Sequence, residues 1–382
     1  MNKINLTPQT LEIFKLSRRK TLFIMLLFIS VFMQCNISKV PPSEFIPYRK
    51  GEKWGYCSKD KRIIIKCRYD DVYSFYGNYA FVKIGDKLGV INKKGKEVVK
   101  PKYDADAEIK YCRFYDGLAI VKINEKWGLI DTTGTEIVPP KYDLINNFAE
   151  GLAVVKIENR YGYIDKNGRE VIEPEYDFAA SFSEGLARVL KDSVFRFIDK
   201  NGDEVLRLKY DLIGDFFEGY AGVMRNNKWG FIDKTGKEII HPKYDNFIFY
   251  TPKFSEGLAA VMINGKCGFI DKSGREVIPI RYDDVSHFKE GVALICIKNK
   301  YGFIDKIGKE IIPPKYDGAI SFQEGMAGVK LITGWGFIDK DDKMIIPFIY
   351  EDVSSFDNGY ARVKLNGKWD YIDKMGNRYW EE

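Results

Sequence analysis

The chain has 382 residues, of which 45% are apolar and 15% aromatic, enough to build a packed interior and to exclude a disordered chain. Its formal net charge is +6, but residues 1–34 hold five Lys/Arg and one Glu, so the remainder carries 55 basic and 53 acidic residues. These charges are mixed along the chain, which excludes the basic face expected of a nucleic-acid-binding protein.

The first 34 residues differ in composition from the rest. Four basic residues between positions 15 and 20 precede an apolar run over residues 22–33, which only Ser30 interrupts. A run of this length fits a signal-peptide core and is shorter than the roughly 18 residues needed to span a bilayer. We therefore expect residues 1–34 to be a signal peptide or membrane-targeting segment, residues 35–48 to be a linker, and the protein to be exported to the cell envelope.

Cys35 follows the apolar run directly, at the place of the modified cysteine in a bacterial lipoprotein. The residues before it, Phe32, Met33 and Gln34, lack the small side chains that a lipobox prefers. Three outcomes stay open: acylation of Cys35, ordinary cleavage nearby, or an uncleaved anchor. The first and the last of these attach the protein to a membrane.

The other five cysteines show no CxxC spacing, and the chain has only two histidines, His241 and His287. Neither a zinc site nor a disulfide framework is indicated. The chain also lacks GxSxG, HExxH and phosphate-loop spacings. The sequence predicts no cofactor, no metal and no catalytic residue.

The rest of the chain is an internal repeat of ten units over residues 49–382. A marker residue recurs with seven of nine intervals equal to 34 residues: Trp54, Leu88, Trp127, Tyr161, Phe195, Trp229, Cys267, Tyr301, Trp335 and Trp369. Fifteen residues after each marker but the last stands a Tyr, followed by Asp in eight units and by Glu351 in the ninth.

The pattern resembles the bacterial WG-containing repeat family, through "KWGFIDKTGKEIIHPKYD" from Lys228 and "KCGFIDKSGREVIPIRYD" from Lys266. The resemblance covers nearly all of residues 49–382, and it departs from the motif where Arg196 and Asp370 replace the Gly. The family implies an all-β repeat, commonly in exported or surface proteins, and it implies no shared enzymatic activity.

Each unit is predicted to be a three-stranded β-meander of about 34 residues. Asn264-Gly265 lies between two short apolar stretches, and Asn-Gly in that setting is a strong hairpin signal. Asp-Lys-x-Gly, as at residues 165–168, follows the second stretch: the Asp can bond the turn backbone, and the Gly supplies a positive φ. No helical periodicity is visible.

The constant positions are predicted to serve packing. The marker varies among Trp, Tyr, Phe, Leu and Cys, which share only apolar bulk, so we expect it in the core. The Tyr-Asp pair has two interpretations: a ladder of rings for sugars or a cation, or a buried Tyr with a satisfied hydroxyl beside an Asp that caps a turn. Its recurrence in every unit favours the second.

A constant Gly follows the Tyr by nine residues in units of normal length, as Gly151 follows Tyr142, with Asn78 in its place in the first unit. Two units exceed the 34-residue period, both between the Tyr-Asp pair and this constant Gly. The extra stretches, residues 105–115 and 246–254, carry aromatic residues that we expect to form exposed partner-binding clusters: Tyr111, Phe114, Tyr115, Phe247, Phe249, Tyr250 and Phe254. Insertions in repeat proteins often map to the binding face. Loops that fold back over the array are the alternative.

Ten three-stranded units can stack as an open superhelical solenoid or close into a propeller-like ring. Propellers usually have four to eight four-stranded blades. Residues 46–49 can supply the first strand of unit one and residues 378–380 the third strand of unit ten, so both terminal units look complete. We therefore expect the open array, with the closed ring as the alternative.

The sequence favours a non-catalytic, envelope-associated repeat protein that serves as a protein–protein interaction or scaffold module, since repeat arrays offer extended surfaces. A cell-wall or glycan-binding module is the alternative, because "NGKWDYIDKMGNRYW" from Asn366 is superficially similar to cell-wall-binding aromatic repeats. An enzyme is the least supported class, since the acidic pairs recur in register. The predicted partner is a protein or an envelope glycan.

The position of Cys35 generates the first prediction. Cells fed a palmitate analogue should label the wild-type protein and not Cys35→Ala, because only a thiol at that place can start lipoprotein processing. Labelling is read by in-gel fluorescence after membrane fractionation. Equal labelling of the two proteins contradicts acylation, and recovery of both in the cytoplasmic fraction contradicts export.

Overall fold

The computed structural model describes residues 45–105, 113–246 and 251–381. Within these ranges every regular element is a β-strand, and no described helix is long and apolar enough to cross a membrane. The strands form ten sheets, numbered here as blades 1 to 10 along the chain. The all-β repeat predicted from the sequence is confirmed.

The strands of blades 1 to 5 are β1 Ile46–Lys50, β2 Lys53–Cys57 and β3 Ile63–Tyr69; β4 Asp71–Val72, β5 Tyr79–Ile84, β6 Lys87–Asn92 and β7 Glu97–Asp104; β8 Leu118–Ile123, β9 Lys126–Asp131 and β10 Glu136–Tyr142; β11 Leu144–Ile145, β12 Leu152–Ile157, β13 Arg160–Asp165 and β14 Glu170–Tyr176; β15 Phe178–Ala179, β16 Ala187–Lys191, β17 Val194–Ile198 and β18 Glu204–Leu208.

The strands of blades 6 to 10 are β19 Leu212–Phe217, β20 Tyr220–Arg225, β21 Lys228–Asp233 and β22 Glu238–Asp245; β23 Phe254–Ser255, β24 Leu258–Ile263, β25 Lys266–Ile270 and β26 Glu276–Tyr282; β27 Asp284–Val285, β28 Val292–Ile297, β29 Lys300–Asp305 and β30 Glu310–Tyr316; β31 Gly318–Ala319, β32 Ala327–Leu331, β33 Gly334–Ile338 and β34 Met344–Tyr350; β35 Asp352–Val353, β36 Tyr360–Leu365 and β37 Lys368–Asp373. The last strand, β38 Trp380–Glu381, joins blade 1.

The turns inside a blade follow the predicted chemistry. Asn264 and Gly265 both have positive φ, 52° and 71°, as a two-residue hairpin turn requires. In the next link of blade 4, Asp165 Oδ1 accepts hydrogen bonds from the backbone N–H groups of Asn167 and Arg169, both at 2.9 Å. The predicted hairpin and Asp-Lys-x-Gly turn are therefore confirmed.

Most blades have four strands where the sequence predicts three. In blade 4 the order is β11-β12-β13-β14, and the extra strand is the first one, only two residues long. It begins two residues after the preceding Tyr142, at Leu144, and pairs with β12 through Ile145 and Val155. A segment this short shows no alternation of its own, and its strand character comes from pairing with the next unit.

The ring is closed, so the expectation of an open solenoid is wrong. Residues 378–380 pair with unit ten only briefly: Arg378 forms a bridge with Ile372, and the Tyr379 N–H donates to the Tyr371 carbonyl at 3.0 Å. The chain then crosses to blade 1, where β38 pairs in parallel with β1, with Arg49 opposite Trp380, and fills the first-strand position. The Gly51 N–H donates to the Glu381 carbonyl at 3.1 Å. The blade shared between the two chain ends makes this fold a ten-bladed β-propeller, the alternative that the sequence left open.

A buried ion pair reinforces the closure. Arg49 Nε donates to Asp370 Oδ1 at 2.6 Å, and its Nη2 donates to Oδ2 at 2.7 Å. The two residues are 5% and 1% exposed. A bidentate pair of this kind has the geometry that guanidinium and carboxylate prefer, and burial removes competition from water.

The core is divided among the blade junctions. Ten clusters of buried apolar residues are described, one at each junction, including the closing junction between blades 10 and 1. A constant Phe recurs in or shortly after the first-strand position of blades 2 to 10: Phe75, Phe114, Phe148, Phe182, Phe216, Phe254, Phe288, Phe322 and Phe356. At seven junctions it packs on an aromatic ring in the third strand of the preceding blade, as Phe254 does on Phe231 with ring centroids 4.8 Å apart. Neighbouring blades thus supply each other's core.

The marker positions vary in burial. Trp229 and Cys267 are each 1% exposed and Leu88 is 3% exposed, as a core role requires. Five markers are half-buried: Trp127, Tyr161, Tyr301, Trp335 and Trp369. A lysine lies near the rings of Trp127 and Trp335. The predicted core role is confirmed at the buried markers, and it is partial at these five positions.

The Gly after the marker is explained by a bulge in the fourth strand. In blade 6, Trp229 pairs with Tyr244 and Phe231 pairs with Ile240. A step of two residues along β21 therefore matches a step of four residues along β22, and the extra residues of β22 form the bulge. The bulge crosses directly over Gly230: a Cβ there would lie 2.3 Å from the carbonyl oxygen of Ile240. A backbone contact this close leaves room only for hydrogen.

The two departures from this Gly occur where the bulge is absent. Around Arg196 the pairing is regular, with Phe195 opposite Leu208 and Phe197 opposite Leu206. Around Asp370 blade 10 has no fourth strand among the described residues, because the chain leaves for blade 1. Both side chains therefore fit, and Asp370 uses the opening to reach Arg49.

Substitutions at the position after the marker should change the free energy of unfolding by different amounts in blades with and without the bulge. Gly230→Ala should lower the free energy of unfolding by about 1–3 kcal/mol, because the new methyl must push the β22 backbone away. At the equivalent place without a bulge, Arg196→Gly and Arg196→Ala lose the same hydrogen bonds to Glu204 and to the carbonyls of Lys191 and Val194, so the Ala variant should be at least as stable as the Gly variant. Urea unfolding of these variants and the wild type checks the contrast: Gly to Ala should lose stability at residue 230 and none at residue 196. An equal loss at the two positions contradicts the bulge explanation.

Candidate functional site

The predicted aromatic clusters are only partly described by the structure. Cys35 and four of the seven aromatic residues lie outside the described residues: Tyr111, Phe247, Phe249 and Tyr250. Phe114 and Phe254 are 7% and 1% exposed, because they are the constant phenylalanines that pack between blades. Exposure was the wrong expectation for these two. Tyr115 is half-buried, and partner binding by the two longer loops stays a prediction.

The constant tyrosines pack and form hydrogen bonds between neighbouring blades. Eight of the nine are buried, with exposures of 0–4%: Tyr69, Tyr103, Tyr142, Tyr176, Tyr244, Tyr282, Tyr316 and Tyr350. The Tyr142 hydroxyl donates to Glu170 Oε1 of the next blade at 2.5 Å, and the half-buried Tyr210 donates to Glu238 at 2.7 Å. Burial, and then the neighbouring carboxylate, raises the pKa of Tyr210 to about 12. These tyrosines serve packing, as the sequence favoured.

The Asp of each Tyr-Asp pair caps a turn of the next blade. Asp143 Oδ2 accepts the backbone N–H of Glu158 in the hairpin turn of blade 4 at 3.0 Å, while its Oδ1 accepts from Lys126 Nζ of blade 3. The hydrogen bond from Lys126 is the main cause of the lowered pKa of Asp143. The aspartate thus ties two neighbouring hairpins together, and the predicted capping role is confirmed.

A third constant group, the Glu before the constant Gly, also links neighbours. Glu184 Oε2 accepts the Gly219 N–H of the following blade at 2.9 Å, and Lys234 Nζ of that blade donates to the Glu184 carbonyl at 2.8 Å. The same arrangement repeats at Glu150, Glu218, Glu256, Glu290 and Glu324. The constant polar residues are therefore largely occupied in holding the ring together.

One register differs from unit to unit. It is the residue just before the constant Phe: Ser74, Arg113, Asn147, Ser181, Asp215, Lys253, His287, Ser321 and Ser355. In the same loop, Tyr76 of blade 2 donates its hydroxyl to Asp357 Oδ2 of blade 10 at 3.1 Å, across blade 1. Non-adjacent blades of a ring approach each other only on its inner side, so this loop lies at the inner rim.

Four consecutive blades place charged and titratable side chains together at this rim. Arg188 Nε of blade 5 donates to Asp215 Oδ1 of blade 6 at 3.0 Å, and the two side chains are 9% and 16% exposed. Lys253 Nζ of blade 7 lies 4.3 Å from the centroid of the Phe217 ring. The arrangement combines donors, an acceptor and an aromatic face in one partly covered strip.

Burial shifts the titration of this strip. It lowers the pKa of Lys253, against the opposing attraction of Asp215. It also lowers the pKa of His287 in blade 8 to about 3, with the positive charge of Lys253 as a second cause. Both side chains are nevertheless only half-buried, so each keeps part of its surface exposed.

A second strip lies where the ring closes. The Arg113 guanidinium of blade 3 stands 4.2 Å from the Tyr115 ring centroid, and its Nη1 donates to the Tyr76 hydroxyl at 3.4 Å. Asp357 then accepts from Tyr76, so blades 3, 2 and 10 are joined. Among the described residues no group of three or more His, Cys, Asp or Glu side chains is placed to hold a metal.

Sequence reasoning missed both strips, although a signal was present. The residue before the constant Phe is Arg113, Asp215, Lys253 or His287 in four units and a smaller polar residue in the others. A position that varies while its neighbours stay constant is not constrained by packing, so it is expected at the surface. Its place at the inner rim depends on ring closure, which the sequence did not predict.

The repeat can now be compared with known proteins. The family described as WG containing repeat matches nine consecutive stretches, residues 54–87, 89–127, 127–161, 161–194, 195–229, 229–267, 268–301, 301–331 and 335–369. The chain belongs to this family. The predicted resemblance is therefore confirmed over most of the chain, and no curated protein matches it.

Solved structures add information on the fold. A eukaryotic initiation factor is similar with a TM-score of 0.53 at 12% identity, over 80% of this chain and 95% of that one. Hsv2p of Kluyveromyces lactis gives 0.39 at 9% identity, over 61% and 94%, and PorZ of Porphyromonas gingivalis gives 0.32 at 10%, over 89% and 52%. Only the first likeness bears on this WG-repeat chain, and it concerns the fold alone.

The lowered pKa of His287 generates a prediction about acid stability. The folded-state pKa is about 3 and the ordinary value 6.5, so below 6.5 the unfolded chain takes up a proton before the native chain does. The histidine's contribution is complete above pH 6.5 and is lost as pH falls toward 3, by at most about 1.4 kcal/mol per pH unit. His287→Gln should remove this part of the pH dependence.

Urea unfolding of both proteins at pH 7.5, 6 and 4.5 measures the effect. The stability of the wild type should fall relative to His287→Gln at each step. Parallel curves for the two proteins contradict an imidazole kept neutral at the rim.

Proposed function

We propose that this ten-bladed ring is a non-catalytic interaction module that binds a partner through its inner rim and longer loops. The observation that carries the proposal is the contrast between registers. The constant polar residues are engaged between blades, whereas the residue before the constant Phe changes from Ser to Arg113, Asp215, Lys253 and His287. Repeat proteins acquire binding specificity through side chains that vary from unit to unit while the backbone and the core positions stay constant.

The location that we propose is the cell envelope. The basic segment and apolar run before Cys35 support export, with attachment through a lipid or an N-terminal anchor. A protein held there by one end presents its ring to envelope components, which suits a scaffold or adaptor. Envelope proteins are therefore the first class of partner to test, and envelope glycans are the second.

A catalytic role is not part of the proposal. The acidic residues that recur in the chain, such as Asp143, Glu170 and Glu184, accept hydrogen bonds within the ring. Asp215 likewise accepts a hydrogen bond from Arg188 within the ring. Binding of a partner at this rim requires no side chain that takes part in a chemical reaction.

The test uses the full chain as bait on bacterial envelope extracts, with bound proteins identified by mass spectrometry. Lys253→Met should lose the partner, because it removes a rim charge while keeping the length of the side chain. Lys243→Met is the matched control, since Lys243 is an exposed lysine on the fourth strand of blade 6 and away from the rim.

A second variant tests the longer loops. Deleting five of residues 106–112 and four of residues 247–252 restores the 34-residue period and keeps Phe114 and Phe254 in the core. Capture should weaken while the thermal melting temperature is maintained. Retention of no specific protein, or capture unchanged in both the Lys253 and the loop variants, contradicts the proposal.

A further inference from the structure

The fourth strand of a blade forms its outer edge and pairs with a described strand on one side only. In each of blades 1 to 8 this strand carries at least two charged residues, as β30 does with Glu310 and Lys315. Charged side chains discourage an edge from pairing with a strand of another molecule, because their water would have to be removed. Eight edges of the ring are protected in this way.

The fourth strand of blade 9 has no such protection. β34 reads MIIPFIY from Met344 to Tyr350 and contains no charged residue. Met344 takes the place of a Glu in blades 2 to 8. Ile349 is the residue before the constant Tyr, which in blades 1 to 8 is Arg68, Lys102, Lys141, Glu175, Lys209, Lys243, Arg281 and Lys315. Met344 and Ile349 are 53% and 43% exposed.

The adjoining hairpin of blade 9 differs in the same direction. Ile332 at its tip is 97% exposed, where the other nine blades have Gly or a polar or charged residue. Two residues later, Gly334 stands where eight blades have Lys or Arg. A Cβ on Gly334 would lie 3.3 Å from the carbonyl carbon of Ile349, so the place without a basic side chain adjoins Ile349.

Blade 10 continues the apolar surface at the other end of β34. Met375 lies in its turn between the third-strand position and residue 378, and it is 65% exposed. A Cβ on the next residue, Gly376, would lie 3.6 Å from the side chain of Ile346 in β34. Ile332 and Met375 therefore flank the two ends of β34, and we call Ile332, Met344–Tyr350 and Met375 the uncharged edge.

The uncharged edge differs from the scattered apolar residues that any protein surface shows. β3 of blade 1 also exposes Ile63 and Ile64, but it keeps Lys66 and Arg68. In blade 9 the exposed apolar residues coincide with the absence of every charge from the strand. Covering this edge removes no charge from water and buries apolar surface, which is the property of an interface.

We propose that the uncharged edge pairs with the same edge of a second copy of this chain. An open strand edge is completed by an extended strand, whose backbone groups bond its outward N–H and C=O groups. That strand must itself be uncharged, because a charge opposite Met344 or Ile349 would be buried without a counter-charge. Among the described fourth strands only β34 meets this requirement, so a second copy supplies the matching strand.

Symmetry determines how the two copies meet. Two identical edges related by a two-fold axis across the strands pair antiparallel, so the Met344 end of one strand meets the Tyr350 end of the other. Ile332 of one copy then approaches Met375 of the other, and apolar side chains meet at both ends. Because each copy uses the same edge, the assembly closes as a dimer.

The dimer goes beyond the proposed partner binding, since it uses the outer edge of blade 9 and not the inner rim. β34 is the strand of its blade farthest from β31, which lies on the inner side. Loss of the dimer and loss of partner capture by Lys253→Met are therefore separate results.

Sedimentation velocity of the purified full chain at micromolar concentration provides the first test. The wild type should sediment as a dimer, and Ile349→Lys should weaken the dimer at least about thirtyfold, because each copy would bury an unpaired charge. Met344→Glu should act in the same way. Both substitutions restore residues that blade 8 carries at these places, Glu310 and Lys315, so the fold accommodates them.

A mixture of the two variants tests the antiparallel arrangement. In a mixed dimer the new Glu of one copy meets the new Lys of the other at one end, while the other end keeps its wild-type residues. Met344→Glu and Ile349→Lys should each be monomeric alone and form dimers when mixed. Recovery on mixing also shows that neither variant is misfolded.

The matched control adds the same charge to a different edge. Val171 in β14 is 42% exposed and lies on a fourth strand that already carries three Glu. Val171→Lys should leave the dimer unchanged. A monomeric wild type, assemblies larger than two copies, or a dimer unaffected by Ile349→Lys overturns the proposal, and so does failure of the mixed variants to associate.

Discussion

The rest of this structure depends on the single residue between one blade and the next. A fourth strand ends at the constant Tyr, as at Tyr142, and the next blade begins after one Asp, at Leu144. That Asp caps the next hairpin while the Tyr hydroxyl reaches a carboxylate of the following blade. Adjacent blades are therefore held in one relative orientation, and repeating that step returns the chain to its start.

Local chemistry made much of the fold predictable. Asn264-Gly265 and the Asp165 turn were recognisable because their conformations are set within a few residues. The two-residue first strands were not, since such a strand exists only by pairing with a later segment. Closure was missed for the same reason: Asp370 stood out as a departure from Gly, but its partner Arg49 lies 321 positions away.

The candidate site was harder to predict than the fold. The longer loops drew attention through their aromatic content, yet Phe114 and Phe254 follow the ordinary core register and are buried. The polar strips come from single substitutions just before the constant Phe, in units of normal length at Asp215 and His287 and in the longer units at Arg113 and Lys253. Their meaning depends on which residues of neighbouring blades they face, and only the assembled ring supplies that information.

The way the ring closes also sets an order of events in folding. Most blade contacts join residues within two units, so they can form while the chain is still being made or exported. The pairing of Arg49 with Trp380 cannot, because the 331 positions between them (380 − 49) must be synthesised first. Until then blade 1 exposes the unpaired edge of β1, which is a template for strands of other molecules. Late closure therefore makes the first blade the place where an unfinished chain is most open to mispairing.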